Sequence, residues 1–390
     1  MWESGSLFKY FLDICPSPVD PAAWKLILGF AAFEIALMRL LPGNMVSCNA
    51  TATGHVPVYK ANGLLAYVVS LAALFGFEWA GVFNPSDVYD SLGEIVAGLS
   101  LFSLVFCLAL YFKGLYVPST EDSGSKGGFV RDYFWGTELY PRVLGVDVKM
   151  FTNCRFGMMY WAVGIVCYAY KQMEMQGDLS NSMAVSIFLQ LVYVAKFFHW
   201  EMGYMKSMDI QHDRAGYYIC WGCLVWVPTV YASPSLYLVN HPVALSPAAA
   251  LAVTALGLGC ILANYDADAQ RAHFRQVGGK CEIWGRPAEY ITAKYTNEKG
   301  NTSTSLLLCS GWWGLSRHFH YIPEVLAAFC WSCPGLFERF EPANFFYVIF
   351  LTPLLLDRAF RDDARCFGKY GQYWVKYRAR VPYKVIPGIL

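Results

Sequence analysis

Two stretches of this chain gather side chains able to move protons or to hold phosphate. Between Glu201 and Gly222 stand Glu201, Lys206, Asp209, His212, Asp213 and Arg214, followed by Trp221. On a helix, Asp209, His212 and Asp213 fall at i, i+3 and i+4 and share one face. A carboxylate–imidazole–carboxylate set can relay a proton or orient the group that gives one. The same residues also fit a solvated helix start, with an aspartate as N-cap and the charges in water.

The second concentration lies towards the C-terminus. Arg271 and Arg275 are one helical turn apart, and Ser310–Tyr321 reads SGWWGLSRHFHY, a glycine-flexed aromatic turn ending in Arg317, His318 and His320. Asp357–Tyr377 sets Arg358, Arg361, Asp362, Arg365 and Lys369 at helical spacings, then Tyr370, Tyr373, Trp374 and Tyr377. Guanidinium groups fork onto phosphates and aromatic faces stack on bases, so the pattern suits a phosphorylated, ring-bearing cofactor. Anionic lipid headgroups would use the same side chains. No G-x-G-x-x-G follows a strand and no G-x-x-x-x-G-K-[ST] occurs, which excludes a Rossmann domain as the holder. No metal is expected either. His318-Phe-His320 has no carboxylate or cysteine partner at ligand spacing, and Cys220/Cys223 and Cys330/Cys333 lie in apolar stretches as small helix residues.

Membrane helices must position these groups. Of 390 residues, 56% are hydrophobic and 15% charged, against about 25% charged in a soluble domain. Thirteen Trp and 26 Tyr suit interfacial belts and a flat apolar pocket. A net charge of +1 gives no basic field, so nucleic acid is not an expected partner. Apolar runs long enough to span are Trp24–Leu41, Gly63–Phe83, Leu92–Phe112, Gly157–Tyr170, Met183–Trp200, Tyr217–Leu238 and Leu245–Ala263. Two shorter ones, Val325–Leu336 and Phe345–Leu356, flank a charged turn at Glu338-Arg339 and read as a hairpin or re-entrant pair. Lys and Arg crowd alternate connections and the tail, while Asn84–Ser91 and Val239–Ala244 carry none, so the C-terminus is expected in the cytosol. Met1–Ile14 lacks the pattern of a cleavable leader, and Ser119–Gly128 reads as a flexible cytosolic connection. The sequons at Asn49 and Asn301 fall on the cytosolic side and are not expected to be used.

From about Leu41 to Leu390 the chain resembles the sterol reductase family, whose members reduce the C14, C7 or C24(28) double bond of sterols. The strings that carry the likeness are GHVPVYKANG (54–63), FTNCRFGMM (151–159), MDIQHDRAGYYICWGCLVWVP (208–228) and SLYLVNHP (235–242). Asn264–Arg275, CEIWGR (281–286), SGWWGLSRHFHYIP (310–323), Asp357–Trp374 and VPYKVIPGIL (381–390) continue it. CEIWGR, the R-H-F-H-Y variant and the final P-G-I-L look like the C7 branch in its plant-like form.

The resemblance implies an all-α polytopic bundle of about nine to ten spans, the family's first span lying before the position of Trp24. It implies one integral-membrane domain over 1–390, with 24–263 mainly spanning helices and 264–390 a cofactor-pocket half open to the cytosol. NADPH would be lined by Arg271, Arg275, Trp313, Arg317, His318, Arg358, Asp362, Lys369 and Tyr370. A sterol would enter from the bilayer, and Tyr193 stands where the family places a proton donor. Tyr193 and Asp362 are therefore expected to deliver the proton, with Asp209, His212, Asp213 and Trp221 around the substrate. In a 5,7-diene, protonation at C8 leaves an allylic cation that hydride can quench at C7, and an aromatic face such as Trp221 steadies it. The sterol substrate and membrane lipid are the expected partners, in the endoplasmic reticulum membrane. The alternatives are a C14 or C24(28) reductase and, more remotely, an isoprenylcysteine-type methyltransferase with a similar C-terminal pattern.

Overall fold

The computed structural model describes residues 15–51, 53–296, 302–337 and 341–390. The leader reading of Met1–Ile14, the sequon at Asn301 and the turn at Glu338-Arg339 lie outside the described residues. Among the described residues, six helices are long and apolar enough to cross a membrane, and the chain is a multi-pass membrane protein. They are Pro21–Leu40, Leu92–Tyr116, Asn181–His199, Tyr217–Asn240, Pro247–Gln276 and Pro342–Tyr370, with shorter apolar helices at Gly63–Trp79 and Tyr321–Phe337.

The chain forms two compact units, Met1–Leu179 with Val194–Asn240 and Ser180–Tyr193 with His241–Leu390. In the first, Asp20 caps Pro21–Leu40 by accepting from the Ala23 amide at 2.8 Å, with Pro21 preset for the first turn. Met158–Gln176, which covers the expected span Gly157–Tyr170 from its second residue and runs past its end, is buried on most of its sides, Trp161, Ile165 and Tyr168 being fully enclosed. It is preceded by a wide π turn, Met150–Gly157, that carries the buried Arg155. Arg155 forks onto Glu201 and reaches Asn62 Oδ1 at 2.9 Å, while Glu201 Oε2 accepts from the Gly63 amide at 3.2 Å. One ion pair thus ties the π turn to the start of Gly63–Trp79. The expected span Tyr217–Leu238 is realised as Tyr217–Trp221, a second π segment Gly222–Tyr231 and Ser233–Asn240. Pro228 sits in the π segment, where its missing N–H is accommodated by the widened turn.

Ser119–Gly128 is not a loose connection. Glu138 accepts from Lys113 Nζ at 2.7 Å and from the Ser119 amide, while Asp132 accepts from Ser125 Oγ and the Lys126 amide. Arg214 donates to the Gly124 and Thr137 carbonyls. Buried carboxylates with such partners fix the loop that its Ser/Gly composition makes look free.

In the second unit, Pro247–Gln276 has 30 residues, about 45 Å of helix, so its last turns outrun an apolar layer of about 30 Å. Phe346–Tyr370 is one continuous helix of 25 residues that carries the expected short span Phe345–Leu356 straight into the charged stretch and stops at Gly371, φ +51°. The chain is mostly helical, as expected, and the described residues add four antiparallel two-stranded hairpins. The longest pairs Tyr290–Thr296 with Thr302–Leu308 in register from Tyr290↔Leu308 to Thr296↔Thr302. Alternation turns Ala293 and Leu307 onto Trp374, Tyr377 and Val381, so the hairpin backs the closing helix Gln372–Arg380.

Candidate functional site

The second unit assembles most of the C-terminal residues singled out in the sequence. The Pro247–Gln276 helix presents Arg271 and Arg275 on its last turns. The turn Ser310–Ser316 is fastened to that helix: Trp312 Nε1 donates to Asp266 at 2.6 Å and Trp313 Nε1 to the Ala267 carbonyl at 2.7 Å. Gly311 makes this close approach possible. At φ +63° it lies against Gln270, whose Oε1 would be 2.1 Å from any added Cβ. With Trp313 held, the Arg271 guanidinium lies over its ring at 3.8 Å. The His320 ring stands 5.0 Å away on Trp313, and His318 stacks on Tyr321 at 5.2 Å and 10°.

His318 Nε2 is 3.7 Å from Asp362, beyond hydrogen-bond range, and Asp362 accepts from Arg365 at 2.6 Å. Burial pushes the His318 pKa down to about 4, with Asp362 opposing, so the imidazole is neutral at pH 7. Arg317 is committed to the fold. It donates to the Val381 and Pro382 carbonyls at 2.8 and 2.9 Å and lies 3.5 Å from Asp363. Arg275 and Lys369 are exposed and Arg358 half-buried. Lys369 sits over the Tyr295 ring at 4.3 Å and near Tyr370 at 5.3 Å, and Tyr370 meets Ser305 of the long hairpin.

Tyr193 belongs to the same unit, and its hydroxyl donates to Glu324 in the first turn of Tyr321–Ser332. Its ring lies 5.2 Å from Trp331. Glu324 escaped sequence reasoning because 131 residues separate it from Tyr193. Asp363 was missed too. It is buried and gathers Arg317, Arg378, Lys384 and Trp374 Nε1. A signal existed: Leu351, Leu355, Ala359 and Asp363 are the i, i+4 stripe of the helix's inner face.

Asp209, His212, Asp213 and Trp221 lie in the first unit. The three polar residues do not share a helix face. The helix Met208–Gln211 ends before His212, whose φ is −127°. Lys149, fully buried, explains the break: its ammonium draws in the carbonyls of Ile210 at 2.6 Å, Asp213 at 2.8 Å and Asp209 at 3.4 Å. Trp221 stacks on Tyr217 at 5.4 Å and neighbours Trp226 at 5.8 Å. Among the described residues no cluster of three or more His, Cys, Asp or Glu has metal-holding geometry.

The chain thus combines membrane-length apolar helices, a cationic–aromatic wall and a tyrosine hydroxyl bound to a carboxyl group. The chain matches the "Ergosterol biosynthesis ERG4/ERG24 family" over residues 7–390 and belongs to this family of sterol reductases, oxidoreductases acting on sterol carbon–carbon double bonds. Its relatives include the 7-dehydrocholesterol reductase of Arabidopsis thaliana, 55% identical over 389 residues, which cover 100% of this chain and 89% of that one. The Delta(14)-sterol reductase of Methylotuvimicrobium alcaliphilum is 34% identical over 376 residues, 96% of this chain and 85% of its own. The 7-dehydrocholesterol reductase of Xenopus laevis is 34% identical over 386 residues, 94% and 80% respectively.

Proposed function

We propose that this chain works as a single integral-membrane domain of about nine spans that reduces the C7–C8 double bond of 5,7-diene sterols with NADPH. The observation that carries the regiochemistry is the 55% identity, along the whole chain, with a 7-dehydrocholesterol reductase. A C14 reductase is the second reading, favoured by the 34% identity with a Delta(14)-sterol reductase. Residence in the endoplasmic reticulum with a cytosolic C-terminus fits the sterol substrate and the charge of the tail.

Several features support a phosphorylated, ring-bearing cofactor in the second unit. Arg275 and Lys369 are exposed cations, Arg271 and Trp313 offer a stacked face, and His318 Nε2 is buried without a hydrogen-bond partner among the described residues. Arg271, Arg275, Arg358 and Lys369 would hold phosphates, with Trp313, His318 and Tyr370 against the rings. When bound, NADPH supplies the hydride that ends at C7. The protein's own task is the proton. A carbon–carbon double bond accepts hydride only once it carries positive charge, so C8 must be protonated first. Tyr193 is assigned that donation. Glu324 orients its hydroxyl, and its carboxyl, in the protonated form, returns the proton. Asp362, also expected to deliver the proton, accepts from Arg365 beside a neutral His318 and is assigned instead to negative charge where the cation develops. The Asp209–Asp213 turn and Trp221 are assigned to the sterol side.

Tyr193→Phe keeps the ring and removes the proton. Turnover is expected to fall by about 10²–10⁴-fold with NADPH affinity unchanged, and Glu324→Gln to fall less, with an altered pH profile. Wild-type turnover in Tyr193→Phe would remove that residue from the mechanism.

A further inference from the structure

The first unit contains a cavity lined by none of the residues assigned to the reaction. It holds about 410 Å³, within the range of small-molecule pockets, about 300–1,000 Å³. The helices Pro21–Leu40, Gly63–Trp79, Leu92–Tyr116 and Met158–Gln176 enclose it. Phe30, Phe33, Leu74, Phe77, Leu99 and Tyr160 make an almost wholly apolar wall. Its acidic group is Glu34, with Ser70 beside it. Glu34 is 0% exposed; Ser70 Oγ donates to its Oε1 at 2.6 Å. Its other oxygen, Oε2, is buried with no hydrogen-bond partner among the described residues. Lys25 lies at the far end, nine residues and about 13 Å back along the helix.

A buried carboxyl oxygen left without a donor costs free energy that a ligand hydroxyl recovers. The carboxyl repels a phosphate, and the buried cation nearby, Arg155, is already engaged by Glu201. Flat aromatic walls and a single acceptor therefore select a rigid, apolar molecule with one hydroxyl. We infer that this cavity is a second lipid site, taking one hydroxysterol from the bilayer with its hydroxyl on Glu34 and Ser70. None of its lining residues belongs to the site assigned to catalysis. It depends on the proposed reaction in no respect, because its readout is the position of a label and not turnover.

The test uses the purified full chain in phosphatidylcholine nanodiscs with a photoactivatable diazirine analogue of cholestanol, the labelled peptides being mapped by mass spectrometry. Labelling is expected in Pro21–Leu40 and Met158–Gln176. Excess cholesterol should abolish it, and methylating the probe hydroxyl should cut it at least about tenfold, the worth of one buried hydrogen bond. Glu34→Leu should lose the label. Gly29→Phe is the safer variant, since Gly29 lines the cavity and a Cβ there meets nothing within 4 Å. It should fill the space, keep the melting temperature and lose the label. Label confined to the second unit would overturn the inference. So would label in these helices that survives O-methylation and competition, because acyl chains would then fill the cavity.

Discussion

Tyr193 and His318 show how little a side chain's identity says until its neighbours are known. A tyrosine in a membrane helix is ordinarily an interfacial anchor; Tyr193 instead donates its hydroxyl to Glu324, which holds it in one orientation. His318 is more than nine-tenths buried, and its pKa of about 4 means the folded protein keeps the imidazole neutral where the unfolded chain takes up a proton. Between pH 6.5 and 4 the unfolded state binds the extra proton, so stability falls as pH falls through that window. The loss is on the order of 3 kcal/mol. Melting temperatures in detergent at pH 7, 5.5 and 4 should show this slope, and His318→Gln should flatten its own share. An identical slope in the variant would contradict the assignment. Arg271 lies 3.8 Å from the Trp313 ring, where planarity matters as much as charge. Arg271→Ala should raise the KM for NADPH about tenfold or more, and Arg271→Lys should recover only part of it, because an ammonium neither forks nor stacks. Steady-state kinetics with NADPH as the varied substrate would show full recovery if charge alone were enough.

At the scale of elements, the buried Arg155–Glu201 pair holds the π turn Met150–Gly157 to the start of Gly63–Trp79. Removing one partner leaves the other charged and enclosed. Glu201→Leu should therefore cost about 3–5 kcal/mol in thermal unfolding, and the Arg155→Met/Glu201→Leu double variant should recover much of it. A single variant as stable as the wild type would show the pair to be dispensable. Hydropathy made the long spans legible: Trp24–Leu41 and Leu92–Phe112 fall within a few residues of the helices Pro21–Leu40 and Leu92–Tyr116. Helical spacing likewise found Arg358, Asp362 and Lys369 on one helix. It failed at Asp209–Asp213, where a lysine sixty residues away in sequence takes three carbonyls and ends the helix. Periodicity within one segment holds no record of such a partner. The long hairpin was missed for a related reason. Its strands are rich in Thr and Ser, and their stability comes from Trp374 and Tyr377 of a later helix.

At the scale of the molecule, six long apolar helices among the described residues and a family match over residues 7–390 make this a membrane sterol reductase. Which double bond it saturates is the central claim still to be measured. Overall composition is the same for any regiochemistry, because a membrane frame serves each of them alike. The deciding experiment is expression in a host that accumulates a 5,7-diene sterol, following loss of the diene absorbance and identifying the product by mass spectrometry. NADPH-dependent conversion to the 7,8-saturated sterol is the predicted result. An unchanged diene, with the protein folded in the membrane and active on a Δ14 sterol, would contradict it.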